Sequence, residues 1–511
     1  MKKRWKIGLV LRRILVVLLL LLEIVILAFI VFGQGRISQI TQVVSLVLGI
    51  ILALKIAAQH EKGGYKIIWI FFSLLFPLFA WALYLMQNVQ LYTKRFGKRL
   101  SKIEEKTKGS LFLPETAYNA VVDRKPSYFS QISYLQNFAG FPVYKDNATE
   151  YLTPGEAFFE RLLPELKKAK KYIFLEFFIV EEGKMWNSIL EILKDKVKEG
   201  VLVRVIYDDL GCFLTLPSAY PKMLKEYGIE CQVFNKFKPL LSTVHNNRDH
   251  RKIISIDGKV AFTGGINLAD EYINEYEKHG HWKDAAIMIK GTAAWSLTVM
   301  FLQMWEFVSK SEQNMQSFFP AKQDFFMQEG NGYVQPYSDS PMDKENTGEH
   351  VYLQIINNAK NYVYINTPYL IVDDSMVSAL SLAAKSGVDV RIVTPERWDK
   401  KIVHLTTRSY YRELITAGVK IYEYTGGFMH AKTFVSDDIV ATVGTTNLDY
   451  RSLYLHFECG VFMCETSAIK DIKYDFLKTV DVCREISLND CKTRKIKRFF
   501  EEILRFFAPL M

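Results

Sequence analysis

His250-Arg-Lys252-Ile-Ile-Ser-Ile-Asp257 and His430-Ala-Lys432-Thr-Phe-Val-Ser-Asp437 share the pattern H-x-K-x-x-x-x-D and begin 180 residues apart. The likeness continues at equal offsets through Val260/Val440, Ala261/Ala441, Gly264/Gly444, Asn267/Asn447 and Leu268/Leu448. It also extends upstream. Gly200-Val-Leu-Val-Arg-Val-Ile206 resembles Gly387-Val-Asp-Val-Arg-Ile-Val393, and Gly228-Ile-Glu-Cys-Gln-Val-Phe234 resembles Gly418-Val-Lys-Ile-Tyr-Glu-Tyr424. Each reads as a glycine that ends a helix, followed by a strand. A polar stretch from about Ser309 to Gly348 separates the copies, and the period is far too long for a solenoid. Strand-like runs alternate with amphipathic stretches, as in Tyr172–Phe178, Trp186–Lys198 and Val201–Tyr207. The fold expected is α/β: two homologous half-domains with mixed β-sheets flanked by helices.

Strand parity gives the first chemistry. His250 and Lys252 are two apart and share one face of a strand. Asp257-Gly258 signals a hairpin turn, which would return Gly265 opposite His250 and, in the second copy, Thr445 opposite His430. Each half then presents an imidazole, an ammonium and the amide of Asn267 or Asn447. Lysine is a point charge suited to phosphate, and asparagine can donate to a phosphoryl oxygen. Asp257 and Asp437 stand in the motif with the catalytic residues, yet they fall at the turns with the wrong parity to reach their histidines. The residues themselves therefore read as turn-forming. A working histidine needs an orienting carboxylate, and Asp284 in His-Trp-Lys-Asp and Glu458 in Leu-His-Phe-Glu are the candidates. Glu176 interrupts an apolar strand at the position of Asn366. It reads as an edge-facing charge or a pocket residue.

The 511 residues are 49% hydrophobic, which excludes a disordered chain, and the net charge of +10 suits an anionic partner. Six cysteines lack C-x-x-C spacing, so neither a zinc site nor a disulfide framework is expected. Three apolar runs open the chain: Ile14 to Phe32, about Ile40 to Ala58, and Ile67 to Met86 with Pro77 inside it. About 20 apolar residues span a bilayer. Basic residues flank the set, with Lys2, Lys3, Arg4, Lys6, Arg12 and Arg13 before it and Lys94, Arg95, Lys98, Arg99 and Lys102 after it. The positive-inside rule asks for an even number of spans. The middle run is the weakest candidate, and a cytosol-facing catalytic domain is expected.

The doubled motif with G-x-x-N resembles the phospholipase D superfamily. His430-Ala-Lys-Thr-Phe-Val, Asn447-Leu-Asp-Tyr-Arg-Ser-Leu, Phe457-Glu458, Asn366-Thr-Pro-Tyr369 and the apolar N-terminus are similar to bacterial cardiolipin synthases. The resemblance covers almost the whole chain. It implies phospholipase D-like halves behind transmembrane helices in a bacterial cell membrane. It also implies a phosphoryl transfer without cofactor or metal. In that transfer one histidine attacks a phosphatidylglycerol, a phosphohistidine forms, and a second phosphatidylglycerol takes the phosphatidyl group to give cardiolipin and glycerol. Family precedent favours His250 as nucleophile, and the residues alone leave that open. The implied partners are phosphatidylglycerol, other anionic phospholipids and the membrane, with no nucleic acid.

The alternative within the superfamily is a membrane-bound phospholipase D-type phosphodiesterase, a hydrolase. A nuclease would suit the charge but not the apolar N-terminus. A catalytically dead scaffold would lose at least one of the paired His, Lys or Asn residues, and none is missing. The layout expected is an anchor at 1–106, a first half at 107–310, a linker at 311–348, a second half at 349–490, and an amphipathic helix at 491–511. In that tail Ile496, Phe499, Phe500, Ile503 and Phe507 fall on one face, and Lys492, Arg494, Lys495, Lys497 and Arg498 crowd its start. A core and an anionic membrane both accept such a face. Docking on the catalytic domain is the reading placed slightly ahead.

Overall fold

The computed structural model describes residues 2–88, 91–111, 116–124, 128–145, 147–236, 246–321, 330–343, 345–492 and 495–511. Part of the linker (322–329 and 344) and Arg494 of the tail lie outside them.

The repeat appears as two related sheets. The first runs in the order Ala148–Leu152, Ala286–Lys290, Val260–Gly264, Ile253–Ile256, Tyr172–Phe177, Leu202–Asp208 and Glu230–Phe234. The second runs Tyr144–Lys145, Tyr333–Asp339, Glu458–Cys464, Val440–Gly444, Thr433–Ser436, Tyr362–Asn366, Asp389–Pro395, Lys420–Tyr424 and Cys483–Ile486. In each sheet three neighbouring strands are parallel (Tyr172–Phe177, Leu202–Asp208 and Glu230–Phe234; Tyr362–Asn366, Asp389–Pro395 and Lys420–Tyr424), the hairpin beside them is antiparallel, and in the second sheet Cys483–Ile486 adds an antiparallel edge. Gly200, Gly228, Gly387 and Gly418 sit at φ between +79° and +102°, the left-handed geometry that stops a helix and releases the next strand. The stretch read as a linker contributes Tyr333–Asp339, which pairs along its whole length with Glu458–Cys464.

Helices Gly155–Lys167 and Lys184–Lys198 bury Phe158, Leu162, Leu166, Trp186, Ile189 and Leu193 against Ile173, Leu175, Val203 and Val205 of the first sheet. A second core joins the halves, with Ile253, Ala261, Ile287 and Ile289 packed among Val435, Ala441, Val443 and Val461. Helix Ala294–Ser309 is apolar on nearly every side and buried from Ala294 to Met300 without a break, as expected of a helix inside a core. All six cysteines are free thiols.

The hairpins correct the expected register. Ile256 pairs with Val260 and Ser436 with Val440, so each loop holds three residues rather than two. Asp257 and Gly258 adopt φ of +53° and +68°, and Asp437 and Asp438 +55° and +58°. The extra residue shifts the return strand by one, so Gly265 and Thr445 do not face His250 and His430. Both ladders begin only at Ile253 and Thr433. The loop aspartates brace the fold. Asp257 accepts from the backbone N–H groups of Lys170, Lys171 and Tyr172 at 2.8 Å each. Asp437 accepts from Lys360, Asn361 and Tyr362 at 2.7–2.9 Å. Both oxygens of each carboxylate are thus engaged at the start of a central strand, and the placement of these two residues with the catalytic groups is corrected. Asp257→Ala should cost about 2–4 kcal/mol of stability, because three N–H groups lose a charged acceptor and alanine resists a positive φ. Turnover per folded molecule should survive. Parallel thermal melts and assays check this, and an unfolding midpoint unchanged within error would contradict it.

A separate unit comprises the described residues of 1–97, with Asn246 and 502–511. Ile14–Phe32 and Arg36–Ala57 are long and apolar enough to cross a membrane. The middle run is therefore one continuous helix and not the weakest, while the third breaks at Phe76 into helices Gly63–Leu75 and Pro77–Asn88. Proline at 77 has no N–H to give back to the preceding turn. In the same unit Leu52, Ile56, Ala80 and Tyr84 form a small core. Phe506 packs on Phe71 and Phe507 on Phe72, with ring centroids 5.3 and 6.4 Å apart. The tail helix Lys495–Phe506 leaves Ile496, Phe499 and Phe500 exposed, so this part of its apolar face does not dock on the catalytic domain.

Candidate active site

Each motif histidine lies just before its strand and is pinned by the backbone of the opposite half. His250 N–H donates to the Phe457 carbonyl at 2.9 Å, beside a parallel bridge between Asp249 and Phe457. The next residue, Glu458, therefore arrives at the imidazole, with Oε1 and Oε2 2.9 and 3.0 Å from His250 Nδ1. The other half repeats the arrangement. Gly427–Met429 pairs in parallel with His281–Lys283, His430 N–H donates to the Lys283 carbonyl at 2.8 Å, and Asp284 Oδ2 lies 2.6 Å from His430 Nδ1. Each histidine is thus held by a carboxyl from the other half.

The two carboxyls differ in length because their surroundings differ. A Cβ on Gly265 would lie 2.1 Å from Asp284 Oδ1, so glycine makes room for the short acid. Its counterpart Thr445 donates its hydroxyl to Glu458 Oε2 and accepts from Cys459 N–H at 3.0 Å. Both lysines are 2% exposed. Lys252 Nζ donates to the His250 carbonyl at 2.7 Å. Lys432 Nζ donates to the His430 carbonyl and lies 2.8 Å from its Nδ1.

Burial governs the titration of these groups. Burial, reinforced by Lys252, holds the His250 imidazole well below its ordinary range. Burial and Lys432 push His430 down to about 4 against the pull of Asp284. Burial lowers Lys252 to about 8 and Lys432 to about 7. Glu458 is raised by burial to about 8, with Lys252 opposing. Burial also acts to raise Asp284, but His430 and Lys432 outweigh it and keep that carboxyl below its usual range. At neutral pH, therefore, Asp284 is a carboxylate that takes the Nδ1–H of His430 and leaves Nε2 as a base. The Glu458–His250 pair retains one proton more.

The asparagines are less alike than the repeat suggests. Asn267 donates to the Tyr272 hydroxyl at 2.6 Å and accepts from Ile179 N–H, so its amide is engaged at both ends. Asn447 reaches Asp449 at 3.5 Å, and its Oδ1 is buried without a partner. Glu176 is on a central strand, not an edge, and is ion-paired at 2.6 Å with Arg251, which also meets Asp249. Arg248 is buried against Asp208 through Nε and Nη2.

His456 belongs to neither copy of the His-x-Lys motif. Its ring lies 5.6 Å from that of His250, and its Nδ1 is 3.8 Å from Glu458 Oε1. Counting back two residues from each of the carboxyls Asp284 and Glu458 finds it, since that position is Trp282 in the first copy and His456 in the second. His250, His456 and Glu458 are, among the described residues, a grouping with metal-ligand donors. The charges of Arg451, Arg248, Lys252 and Lys400 bear on it and oppose a divalent cation there.

A family described as cardiolipin synthase, PLD-like domain, matches residues 162–305 and 352–480. An uncharacterized protein of Streptococcus mutans is 49% identical over 385 residues, 75% of this chain and 83% of that protein. A cardiolipin synthase of Geobacillus kaustophilus is 33% identical over 94% of this chain and 95% of its own length. A crystal structure of phosphatidylserine synthase from Haemophilus influenzae superposes with a TM-score of 0.55 at 14% identity, over 75% of this chain and 98% of that one. That last likeness concerns the fold.

Proposed function

The chain belongs to the cardiolipin synthase family of phospholipase D-like proteins, and from that premise we propose that it is a membrane-anchored phosphatidyltransferase that makes cardiolipin. The supporting observation is the pair of imidazoles, each hydrogen-bonded at Nδ1 to a carboxyl from the opposite half, which turns both Nε2 atoms over to substrate chemistry. One histidine attacks the phosphorus of phosphatidylglycerol. A P–N bond forms, the bond to the glycerol oxygen breaks, and the other histidine protonates that oxygen. The same histidine then takes the proton from a hydroxyl of a second phosphatidylglycerol. That oxygen attacks phosphorus, the P–N bond breaks, and cardiolipin leaves. Splitting the displacement suits a poor alkoxide leaving group. Lys252, Lys432 and Asn447 neutralise or donate to the phosphoryl oxygens, and Asn267 does so on release of Tyr272.

The layout proposed keeps 1–106 as anchor, 107–310 and 349–490 as halves, 311–348 as a connection that lends a strand, and 491–511 as tail. Two spans place both basic flanks on the cytosolic side of a bacterial cell membrane. The exposed Ile496, Phe499 and Phe500, near Lys495, Lys497 and Arg498, fit a tail lying on anionic lipid.

Membranes carrying the protein should convert phosphatidylglycerol to cardiolipin and glycerol in equal amounts. Phosphatidic acid as the main product would instead mean hydrolysis. A chelator should leave the rate unchanged, because lysines stand where cations would act. Complete loss restored by one divalent ion would overturn the metal-free part of the mechanism.

A further inference from the structure

The two half-sites share their orienting carboxyls but differ in what flanks each histidine. Trp282 lies beside His430 with ring centroids 5.1 Å apart and the planes tilted by 46°, and its Nε1 is a buried donor without a partner. His456 holds the equivalent place beside His250. Both of its ring nitrogens are shut off from solvent and neither has a hydrogen-bond partner. An imidazole whose nitrogens are both buried, with an unmet donor and an unmet acceptor, is costly unless something else supplies a partner. Glu458 does not, since its nearer oxygen is beyond hydrogen-bond reach and is engaged with His250.

We propose that His456 is a head-group-binding residue of this active site, receiving the secondary hydroxyl of a glycerol head group beside His250. The inference rests on the phosphatidylglycerol reading above. Burial and the charges of Arg451, Arg248, Lys252 and Lys400 keep the ring neutral, so it offers one donor and one acceptor. A hydroxyl can meet whichever of the two nitrogens it reaches, accepting from the N–H or donating to the bare nitrogen. An ammonium head group is a donor only and would meet a cluster of cations as well. Trp282 offers a donor alone, so the discriminating contact lies on the His250 side. A site built to hydrogen-bond a hydroxyl rejects an analogue that lacks it, because its own polar groups are then left unpaired.

The test uses the full chain in vesicles and compares phosphatidylglycerol with phosphatidyl-propane-1,3-diol, which lacks only the secondary hydroxyl. The wild type should favour phosphatidylglycerol at least about tenfold in kcat/KM for transfer product. His456→Phe should bring that preference to within about twofold and raise the share of phosphatidic acid, as water competes with a poorly held acceptor. A merely structural role would lower both rates together and leave the preference intact. If His456→Phe does not fold, His456→Leu reads the same ratio. Equal use of the two lipids by the wild type, or an unchanged preference in the folded variant, overturns the proposal. Failure of the wild type to make transfer product from either lipid would instead sink the cardiolipin synthase reading, and this inference with it.

Discussion

His250→Ala and His430→Ala should each abolish phosphatidyl transfer while the protein stays folded. Both imidazoles lie at the junction of the halves, ahead of their strands and outside the ladders, so their loss removes no strand pairing. Loss of general acid–base catalysis alone costs roughly 10²–10⁴-fold, and loss of the nucleophile should cost more. Transfer in a host lacking other cardiolipin synthases would reveal even a small remainder, and a single variant with more than about a tenth of the wild-type rate would count against the two-histidine mechanism. The same pair of variants separates the roles. Acid-labile phosphate trapped in mid-turnover should sit on one histidine, and the variant lacking that residue should trap none. Label on serine or aspartate would refute a phosphohistidine.

The next largest effect is expected at the carboxyls. Asp284→Asn removes the acceptor of the His430 Nδ1–H, frees the ring to take the wrong tautomer, and should lower turnover roughly 10²–10⁴-fold without unfolding the chain. Glu458→Gln should act comparably through His250. It should also change the pH profile in a way that Asp284→Asn does not. Glu458 is raised to about 8, so the additional proton of its pair is present below that pH and lost as pH rises through it. Wild-type turnover should fall along an alkaline limb near pH 8, to which Lys252, lowered to about 8, also contributes, and Glu458→Gln should shift that limb. Near-normal rates in Asp284→Asn would show that the contact between Asp284 and His430 is structural only.

Much of this protein was legible because it is periodic or repeated. Two copies of His-x-Lys with Asn, Gly and Val at equal offsets identify the half-domains. Alternating strands and helices follow from local patterning, with glycines such as Gly387 and Gly418 marking the boundaries. The run from Ile14 to Phe32 reads as a span by length alone. The roles of Asp257 and Asp437 as turn residues also followed from parity, against their place in the motif. Other features depend on geometry that no spacing records. One more residue in each hairpin loop moved the return strand by a position, because consecutive left-handed residues close a three-residue loop as readily as two. The third apolar run has the length of a span, yet it breaks at Phe76–Pro77. Glu458 and Asp284 were visible as candidates, but nothing in the sequence says that each serves the histidine of the other half. That choice is made when the halves dock and the main chains of Phe457 and Lys283 seize His250 and His430. A contact between residues 208 or 146 positions apart arises from packing two independently patterned units, so only the tertiary structure could decide it. The same docking brings His456 beside His250, with neither ring nitrogen hydrogen-bonded within the protein.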